Sequence, residues 1–287
     1  MKDKMERLPD WLKTNTFSSL RQTKRLLRQN RLSTVCEEAR CPNRGHCFSR
    51  PTATFMILGK DCTRSCGFCS VSHVRPSAVD AEEPERVATA AKAMNLTHVV
   101  VTSVTRDDLP DGGAAHFAAV IKAVRGELPD AKIEVLTPDF KGSLEALHKV
   151  LDAEPDVFNH NVETVPSLYY KVRPQADYGV SLRVLSEANN YSSKVRVKSG
   201  LMVGLGESFD EVMAVLKDLK ASGCSFITIG QYLRPRKTNI AVVEYVPPEV
   251  FDLYRVKAQE LGFDAVASAP LVRSSMDAAQ MLQPPII

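Results

Sequence analysis

Hydrophobic and polar positions change their pattern along the chain at about residue 53. From there to residue 231, short apolar or β-branched runs alternate with longer segments whose apolar residues recur at helical spacing. Six runs are predicted to be buried strands, at residues 53–58, 98–102, 132–136, 156–160, 194–203 and 225–231. Five helices are predicted between them, at residues 81–94, 116–125, 143–151, 180–188 and 208–221. Strands that alternate with helices pair in parallel through right-handed crossovers, so we predict an α/β protein built on a partial (β/α)6 TIM-type barrel.

Two extensions flank this barrel, which we assign to residues 51–248. The first, residues 1–50, begins with an arm that is predicted to contain a helix and ends in a cysteine-bearing segment. The second, residues 249–287, is a short C-terminal extension with a helix and a tail. The N-terminal arm gathers six cations, Lys13, Arg21, Lys24, Arg25, Arg28 and Arg31. Such a run suits either an acidic partner or a solvated helix face.

Polar residues follow the predicted ends of the strands. In a barrel of parallel strands, the loops after these ends carry the functional site. Ser103 follows the second strand, Asn161 and Glu163 follow the fourth, and Lys198 lies within the fifth. Capping or turn formation explains any one of these residues, but six polar strand ends at one rim indicate a site.

Composition limits the kinds of protein that this chain can be. Of its 287 residues, 44% are hydrophobic and 25% are charged, which is ordinary for a globular protein. No apolar run reaches about 18 residues and the first ten residues lack an apolar signal core, so we expect a cytoplasmic protein without a membrane span. A formal charge of +3 gives no support for a nucleic-acid partner.

Cysteines give the most specific chemical signal in the chain. Six of the seven form two groups, the first triplet (Cys36, Cys41 and Cys47) and the second triplet (Cys62, Cys66 and Cys69). Without a secretory signal, six clustered cysteines indicate metal ligation rather than a disulfide framework. The seventh, Cys224, opens an apolar run and is predicted to be a buried thiol without a function.

The second triplet has three and then two residues between its members. Three thiolates this close together can bind an iron–sulfur cubane and leave one iron without a protein ligand. An open metal position is where a catalyst binds its substrate. The same spacing also lies on one face of a helix, which would make the cysteines buried apolar residues. Gly67 and the polar residues Thr63 to Ser65 favour a loop instead.

The first triplet has four and then five residues between its members. A zinc knuckle is the conventional alternative, but this spacing lacks the Cys-x2-Cys pair of such sites and a fourth ligand nearby. His46 is a candidate for that ligand. A supporting or surface position is the better explanation for this histidine, because its neighbour Cys47 already occupies the turn.

Nine stretches match one known family along nearly the whole chain, at residues 34–43, 53–56, 62–64, 102–109, 111–113, 158–164, 198–202, 230–233 and 273–275. The second triplet resembles the cluster loop of the radical S-adenosylmethionine (SAM) enzymes in general. The full set of stretches resembles the lipoyl synthase family within that superfamily. The two triplets together are the most specific part of the resemblance, because ordinary radical SAM enzymes have the second triplet without the first.

This resemblance implies two iron–sulfur clusters with separate tasks. The second triplet would hold a reducible 4Fe-4S cluster whose fourth iron binds SAM. The first triplet would hold an auxiliary 4Fe-4S cluster, completed by a serine of the Arg273-Ser274-Ser275 motif. Ser275 is the preferred ligand and Ser274 the alternative. A hydroxyl oxygen is a harder ligand than a thiolate, so this iron is a suitable one to release.

The resemblance also implies roles for side chains of the barrel and the tail. Asn161, Glu163, Lys198 and Ser103 would face SAM. Arg273 would order the auxiliary cluster or one end of the substrate. The two triplets and Ser275 are therefore the predicted catalytic residues, and the others are the predicted contacts to SAM and substrate.

The activity that the resemblance implies is the insertion of two sulfur atoms, at C6 and C8 of an octanoyl chain that is amide-linked to a protein lysine. Two SAM molecules would be used and the auxiliary cluster would be consumed as the sulfur donor. Side-chain acid–base chemistry does not break such C–H bonds. The implied partners are octanoylated lipoyl-carrier domains (E2 subunits of 2-oxoacid dehydrogenases and the glycine-cleavage H protein), an electron donor such as ferredoxin or flavodoxin, and an iron–sulfur cluster carrier.

Two positions and one four-residue segment depart from the usual pattern of the family. Met276 stands where tyrosine is common, Asn239 where histidine is common, and residues 45–48 replace a frequent Glu-Cys-Trp ending. None of these departures removes a predicted cluster ligand. The nearest alternative enzyme, a biotin-synthase-like sulfur inserter, would not account for the first triplet together with residues 273–275. A non-enzymatic iron–sulfur electron carrier would need no barrel.

Overall fold

A computed structural model describes residues 8–14, 20–49 and 53–282. The strands of these residues form a single sheet with the spatial order β1 to β8. They are β1 (Ser33–Thr34), β2 (Thr54–Ile57), β3 (His98–Ser103), β4 (Lys132–Leu136), β5 (Val157–Asn159), β6 (Arg196–Val203), β7 (Phe226–Gln231) and β8 (Ala265–Ser268). All neighbours from β2 to β8 pair in parallel, whereas β1 is antiparallel to β2.

Helices connect the strands and also occur in the N-terminal and C-terminal extensions. The α-helices are α1 (Leu20–Gln29), α2 (Val35–Glu38), α3 (Arg44–Ser49), α4 (Glu83–Ala93), α5 (Ala114–Glu127), α6 (Leu144–Leu151), α7 (Tyr169–Val172), α8 (Tyr178–Tyr191), α9 (Phe209–Ala221), α10 (Pro248–Glu260) and α11 (Ala278–Met281). Short 3-10 helices lie at Asp10–Leu12, Phe140–Gly142 and Pro166–Leu168.

The predicted α/β class is confirmed, and all six predicted strands are present as β2 to β7. The sheet has two further strands at its edges, β1 and β8, which do not pair with each other within the described residues. The open sheet fits a partial barrel. The pattern did not indicate β1 because two residues are too few to show a period. Because β8 pairs with β7, the C-terminal extension also contributes to the sheet; the division at residue 248 stays a prediction.

The core lies between the sheet and its covering helices. In β3, Val99 and Val101 lie on the same face and are fully buried. The helix α5 contributes Phe117 and Ile121 to the same core. These β-branched and aromatic side chains pack well on a pleated surface. Cys224 is also fully buried, and burial raises the pKa of its thiol to about 12. This result confirms the prediction that Cys224 is a buried thiol.

The N-terminal arm contains the helix that was predicted for it. The helix α1 packs against α3, with Leu27 and Phe48 buried between them and the core. The Thr23 hydroxyl donates a hydrogen bond of 3.0 Å to the Phe48 carbonyl. The arm is therefore attached directly to the helix that carries Cys47.

Crossing a bilayer takes a helix of about 18 to 20 apolar residues. Among the helices of the described residues, none has both the length and the apolar character that this requires.

Candidate active site

The second triplet lies in the loop that follows β2, and no residue of the triplet is helical. Backbone pairing holds this loop against the end of β3, since both the N–H and the hydroxyl of Thr63 donate to the Thr105 carbonyl at 3.0 Å. The N–H groups of Arg64 and Thr105 lie 3.5 and 3.3 Å from Cys62 Sγ. These two donors stabilise negative charge on the Cys62 sulfur. The predicted loop is confirmed.

A buried arginine anchors the loop to two neighbouring strand ends. The Arg64 guanidinium donates to Asp107 at 2.7 and 3.0 Å and to Asp139 at 2.7 Å twice. Burial opposes the charge on Arg64, but the bidentate bonds to both carboxylates raise its pKa overall. The same pairing, against the opposing effect of burial, lowers the pKa of Asp139 to about 2. Arg64 and Asp139 therefore stay ionised at neutral pH, and the bonds of Arg64 to both aspartates fix the backbone between Cys62 and Cys66.

A second set of contacts holds the other half of the loop. A Cβ atom on Gly67 would lie 2.7 Å from the Lys171 carbonyl oxygen, so the close approach of these two segments requires glycine. The Asn239 side chain donates to the carbonyls of Gly67 and Cys69 at 3.1 and 2.7 Å. Asn239, one of the positions that depart from the family pattern, is thus a direct contact of the cysteine loop.

Two short helices carry Cys36 and Cys47 of the first triplet, and Cys41 lies between them. Thr34 caps α2 by accepting the Glu37 N–H at 3.4 Å, which positions Cys36 in the first turn. The Cys41 N–H donates to the Cys36 carbonyl at 3.1 Å. Cys47 lies on α3, and its N–H donates to the Asn43 carbonyl at 2.9 Å.

Burial dominates the electrostatics of the cysteines. It raises the pKa of Cys36 and Cys66 to about 11 and that of Cys69 to about 12. These thiols are protonated at neutral pH unless cations offset the negative charge of the thiolates. Within the described residues, no three His, Cys, Asp or Glu side chains are close enough to hold a single metal ion. A cubane instead distributes its thiolate ligands over separate irons.

The C-terminal tail is held from two sides. On one side, the Asn43 amide donates to the Leu271 carbonyl at 2.6 Å and lies 3.1 Å from the Met276 sulfur. On the other side, the Asn161 amide donates to the Ser274 hydroxyl at 2.6 Å. The Arg273-Ser274-Ser275 segment therefore lies between the loop of the first triplet and the end of β5.

A glycine in β7 makes room for this tail. A Cβ atom on Gly230 would lie well inside the van der Waals contact distance to the Val272 carbonyl oxygen and 3.2 Å from the Arg273 guanidinium. Because the nearest atom belongs to the backbone, a side-chain rotation cannot relieve the clash. The tail contacts the sheet at this point only because residue 230 is glycine.

One cavity of about 520 Å³ joins these elements. Of the predicted site residues, its walls contain the first triplet, Cys69, Asn161, Glu163, Arg273, Ser274 and Ser275. Much of the remaining wall is apolar, with Val35, Phe68, Val100, Leu136, Met202 and Leu233. Cavities of this size and character commonly bind small molecules or chain-like ligands. Cys62, Cys66, Ser103 and Lys198 are not part of the wall.

Ser103 and Lys198 occupy other positions in the barrel. Ser103 ends β3, and its buried hydroxyl has no hydrogen-bond partner among the described residues. Lys198 is fully buried and pairs with Glu134 at 2.9 Å. The predicted contacts of both residues with SAM stay predictions.

Asn161 and Glu163 form the polar end of the cavity. The Asn161 amide donates to the Glu163 carboxylate at 3.1 Å. Burial raises the pKa of Glu163, although the charge of Arg173 and the bond from Asn161 oppose it. The Glu163 backbone is in the left-handed region, with φ of 67°, which is uncommon for a non-glycine residue and is often found at functional sites. A cationic ligand group would stabilise this carboxylate.

His160 precedes Asn161 and is buried as a neutral imidazole. Its Nδ1 donates to the Thr137 carbonyl at 2.9 Å, and its Nε2 lies 3.1 Å from the Ser181 hydroxyl, which can donate to it. Burial, helped by the nearby Arg173 charge, lowers the pKa of His160 to about 4.

This histidine predicts a pH dependence of stability. Below the ordinary histidine pKa of about 6.5, the unfolded chain binds a proton at His160, whereas the folded protein does so only near pH 4. The free energy of unfolding should therefore fall by about 3 kcal/mol as the pH is lowered from about 6.5 to 4. Guanidinium unfolding at pH 7.5, 6 and 5 measures this slope. The variant His160→Gln should show a shallower slope; an unchanged slope would contradict the assignment.

Comparisons with known proteins fit this geometry. A family model described as the radical SAM superfamily matches residues 56–219, and one described as the N-terminal domain of lipoyl synthase matches residues 1–41. The fold and the cysteine loop thus define a radical SAM enzyme, a class that binds SAM and a 4Fe-4S cluster.

The curated relatives are more specific. The chain is 51% identical over 281 residues to the lipoyl synthase of Alkaliphilus metalliredigens, covering 97% of each chain. It is 54% identical over 273 residues to the lipoyl synthase of Caldanaerobacter subterraneus subsp. tengcongensis, covering 95% of this chain and 96% of the relative. The chain belongs to the lipoyl synthase family. The predicted family is confirmed. The prediction of a sulfur-inserting enzyme is also confirmed, in preference to the alternative of a non-enzymatic electron carrier.

Solved structures share the fold at low sequence identity. Methylornithine synthase (PylB) superposes with a TM-score of 0.52 at 15% identity, covering 88% of this chain and 79% of that chain. SuiB of Streptococcus suis, bound to S-adenosylmethionine, gives a TM-score of 0.57 at 10% identity, covering 74% of this chain and 49% of that chain. These likenesses show the fold.

Proposed function

We propose that this chain inserts sulfur at C6 and C8 of an octanoyl chain carried on a protein lysine, and thereby forms a lipoyl group. The observation that carries the proposal is the single cavity whose walls contain the first triplet, Cys69 and the serine tail. A substrate in that cavity would lie between the source of the radical and the source of sulfur. Apolar side chains along the wall suit an acyl chain.

The two triplets would hold two 4Fe-4S clusters. When bound, the cluster of the second triplet supplies the electron that breaks SAM into methionine and a 5′-deoxyadenosyl radical, and the auxiliary cluster supplies sulfur. The chain's own contribution is positioning. Arg64, Asp139 and Asn239 fix the loop of the second triplet, and the apolar wall keeps water from the reacting carbons.

Ser275 is the proposed oxygen ligand of the auxiliary cluster. The Ser274 hydroxyl is occupied, because it accepts the Asn161 amide at 2.6 Å. Ser275 also lines the cavity, and among the described residues none forms a hydrogen bond with its hydroxyl. Arg273 is proposed to order this site, since it neighbours Cys41 closely enough for the two charges to affect each other.

Asn161, Glu163, Ser103 and Lys198 are proposed to serve SAM. The half-buried Glu163 carboxylate suits the amino group of SAM, because a cation there would offset the cost of burying its charge. Ser103 offers a buried hydroxyl without a partner in the described chain. Lys198 would act through Glu134, to which it is bound.

The proposed partners follow from this substrate. They are octanoylated carrier domains of the 2-oxoacid dehydrogenase E2 or glycine-cleavage H type, an electron donor such as ferredoxin or flavodoxin, and an iron–sulfur cluster carrier. The reaction itself requires the first two, because the octanoyl chain is bound to protein and each SAM cleavage consumes an electron. A cluster carrier is needed to rebuild the auxiliary cluster after its sulfur is used.

The proposal is tested by separating the two triplets. The wild type, Cys66→Ala and Cys41→Ala are reconstituted anaerobically and incubated with SAM, a reductant and an octanoyl-lysyl peptide. Iron, sulfide, 5′-deoxyadenosine and the peptide mass are measured. The wild type should contain two clusters and give both products. Cys66→Ala should give neither product, because no radical forms.

Cys41→Ala distinguishes the two tasks. It should still release 5′-deoxyadenosine within about threefold of the wild type while adding no sulfur to the peptide, because only the sulfur source is lost. A wild type that holds only zinc, or a single cluster, would overturn the two-cluster proposal. A wild type that cleaves SAM but never adds sulfur to the peptide would overturn the proposed function.

A further inference from the structure

The helix α1 carries a row of exposed arginines. Arg21, Arg25 and Arg28 are exposed and follow one another at spacings of four and three residues, so they share one face of the helix. Within the described chain no carboxylate pairs with any of them, whereas the neighbouring Lys24 lies 3.9 Å from Glu37. A face with three uncompensated cations attracts anionic surfaces.

The helix that carries this face packs on the wall of the cavity. The helix α1 packs against α3, through Leu27 and Phe48, and α3 carries His46 and Cys47, which line the cavity. The helix α1 is therefore the outer layer of the wall whose inner layer holds part of the first triplet.

Further cations lie in the wall of the cavity itself. Arg40 is exposed, lines the cavity and has no acidic partner in the described residues. Arg234 is also exposed and lines the cavity. Among the described residues, its guanidinium donates only to the carbonyls of Asn239 and Lys237, and no carboxylate there pairs with it. Uncompensated cations thus occur in the cavity wall and on the outer layer of that wall.

We propose that the face formed by Arg21, Arg25 and Arg28 docks an acidic carrier domain, the protein that presents the octanoyl-lysine. This inference rests on the proposed function. The cavity, of about 520 Å³, holds an acyl chain and its lysine arm but not a folded domain. The body of the carrier must therefore rest on the outer surface of the protein, and the face on α1, the helix that packs on the cavity wall, supplies complementary charge there. Such charge raises the rate of association and weakens with salt.

The test compares two substrates with the same reacting group. The triple variant Arg21→Glu, Arg25→Glu, Arg28→Glu is assayed with an octanoylated, acidic lipoyl domain and with a short, uncharged octanoyl-lysyl peptide. For the domain, kcat/KM at about 50 mM salt should fall tenfold or more, mainly through KM. For the peptide, which has no surface to dock, kcat/KM should stay within about twofold of the wild type. Raising the salt should lower the wild-type value for the domain and leave the variant's value nearly unchanged.

A matched variant controls for net charge. Lys122, Lys194 and Lys217 are exposed residues of the barrel, on α5, before β6 and on α9, and none has an acidic partner in the described chain. The triple variant Lys122→Glu, Lys194→Glu, Lys217→Glu makes the same change in net charge away from α1. It should keep the wild-type kcat/KM for both substrates. A variant with glutamine at positions 21, 25 and 28 should give a smaller loss than the glutamate variant.

Other results would overturn the docking surface. Equal losses with domain and peptide would mean damage to the site rather than loss of docking. Unchanged kcat/KM for the domain in the α1 variant would mean that the carrier docks elsewhere. Loss of binding to heparin or to anionic phospholipid vesicles, with carrier activity intact, would assign the arginines to a polyanion or a membrane surface. If the wild type adds no sulfur to the peptide either, the proposed function fails rather than the docking surface.

Discussion

Replacing Lys198 with methionine is expected to lower the free energy of unfolding by about 3–5 kcal/mol, because it leaves a carboxylate buried without its cation. Lys198 and Glu134 are 0% and 1% exposed and lie 2.9 Å apart in the barrel interior. Burial alone would raise the pKa of Glu134, but the charges of Lys198 and His98 lower it. Guanidinium unfolding of the wild type and of Lys198→Met measures the loss.

A double variant identifies the cause of that loss. Lys198→Met combined with Glu134→Gln removes both charges and keeps an oxygen that accepts the Asn159 amide, which now bonds to Glu134 at 3.2 Å. It should recover at least half of the lost stability, because no uncompensated charge remains. A single variant that loses less than about 1 kcal/mol would show that the pair is not a structural element of the barrel.

Replacing Gly230 with alanine is expected to reduce sulfur insertion about 100-fold while SAM cleavage stays within about threefold of the wild type. The added Cβ would overlap the Val272 carbonyl and displace the tail that carries Arg273, Ser274 and Ser275. The three atoms nearest to that Cβ belong to Val272 and Arg273, so the effect is expected to come from the position of the tail. Separate assays of 5′-deoxyadenosine and of the peptide mass distinguish the two activities.

The matched control for this change is Gly126→Ala. Gly126 lies in α5, and a Cβ atom there would meet nothing within 4 Å. This variant should insert sulfur at the wild-type rate and be slightly more stable, because alanine favours a helix more than glycine does. If Gly230→Ala loses both activities equally, the tail would have to serve SAM cleavage as well.

Much of the fold was predictable because the pattern of the strands is strong. The runs around Val99 to Val101 and Ile227 to Ile229 are β-branched and fully or largely buried, and a buried parallel strand has that signature. The strand β8 was not predicted because three of its four residues are only partly buried and the run is short. Its place in the sheet comes from pairing with β7, which no local pattern reports.

The cysteines of the site were predictable from spacing, but the residues that hold them were not. Asp139 follows the third predicted strand, where an aspartate is also an ordinary turn residue, and its bond to Arg64 joins positions 75 residues apart. Asn43 reaches Leu271 across 228 residues. Contacts between residues so far apart cannot be predicted from a single sequence, because each residue taken alone has a simpler local explanation.

Lys198 shows the opposite case, a residue whose local context was clear and whose partner was not. The family resemblance implied a contact with SAM, which stays a prediction, and the structure shows that its amine is bonded to Glu134 on the second strand away in the sheet. Whether a buried cation pairs with a ligand or with a protein side chain depends on whether a neighbouring strand places a carboxylate beside it. The register between β4, β5 and β6 supplies that information.

The short antiparallel strand β1 has a consequence for the spacing of the two triplets. Ser33 and Thr34 pair with Met56 and Phe55, so the chain leaving β1 reaches Cys36 beside Thr54, at the beginning of β2. The second triplet follows the other end of the same strand. At about 3.3 Å per residue, the four residues of β2 separate the two departure points by about 10 Å. The length of this four-residue strand therefore sets the separation of the two triplets along the sheet, and inserting or deleting residues in it would change that separation without altering any of the six cysteines.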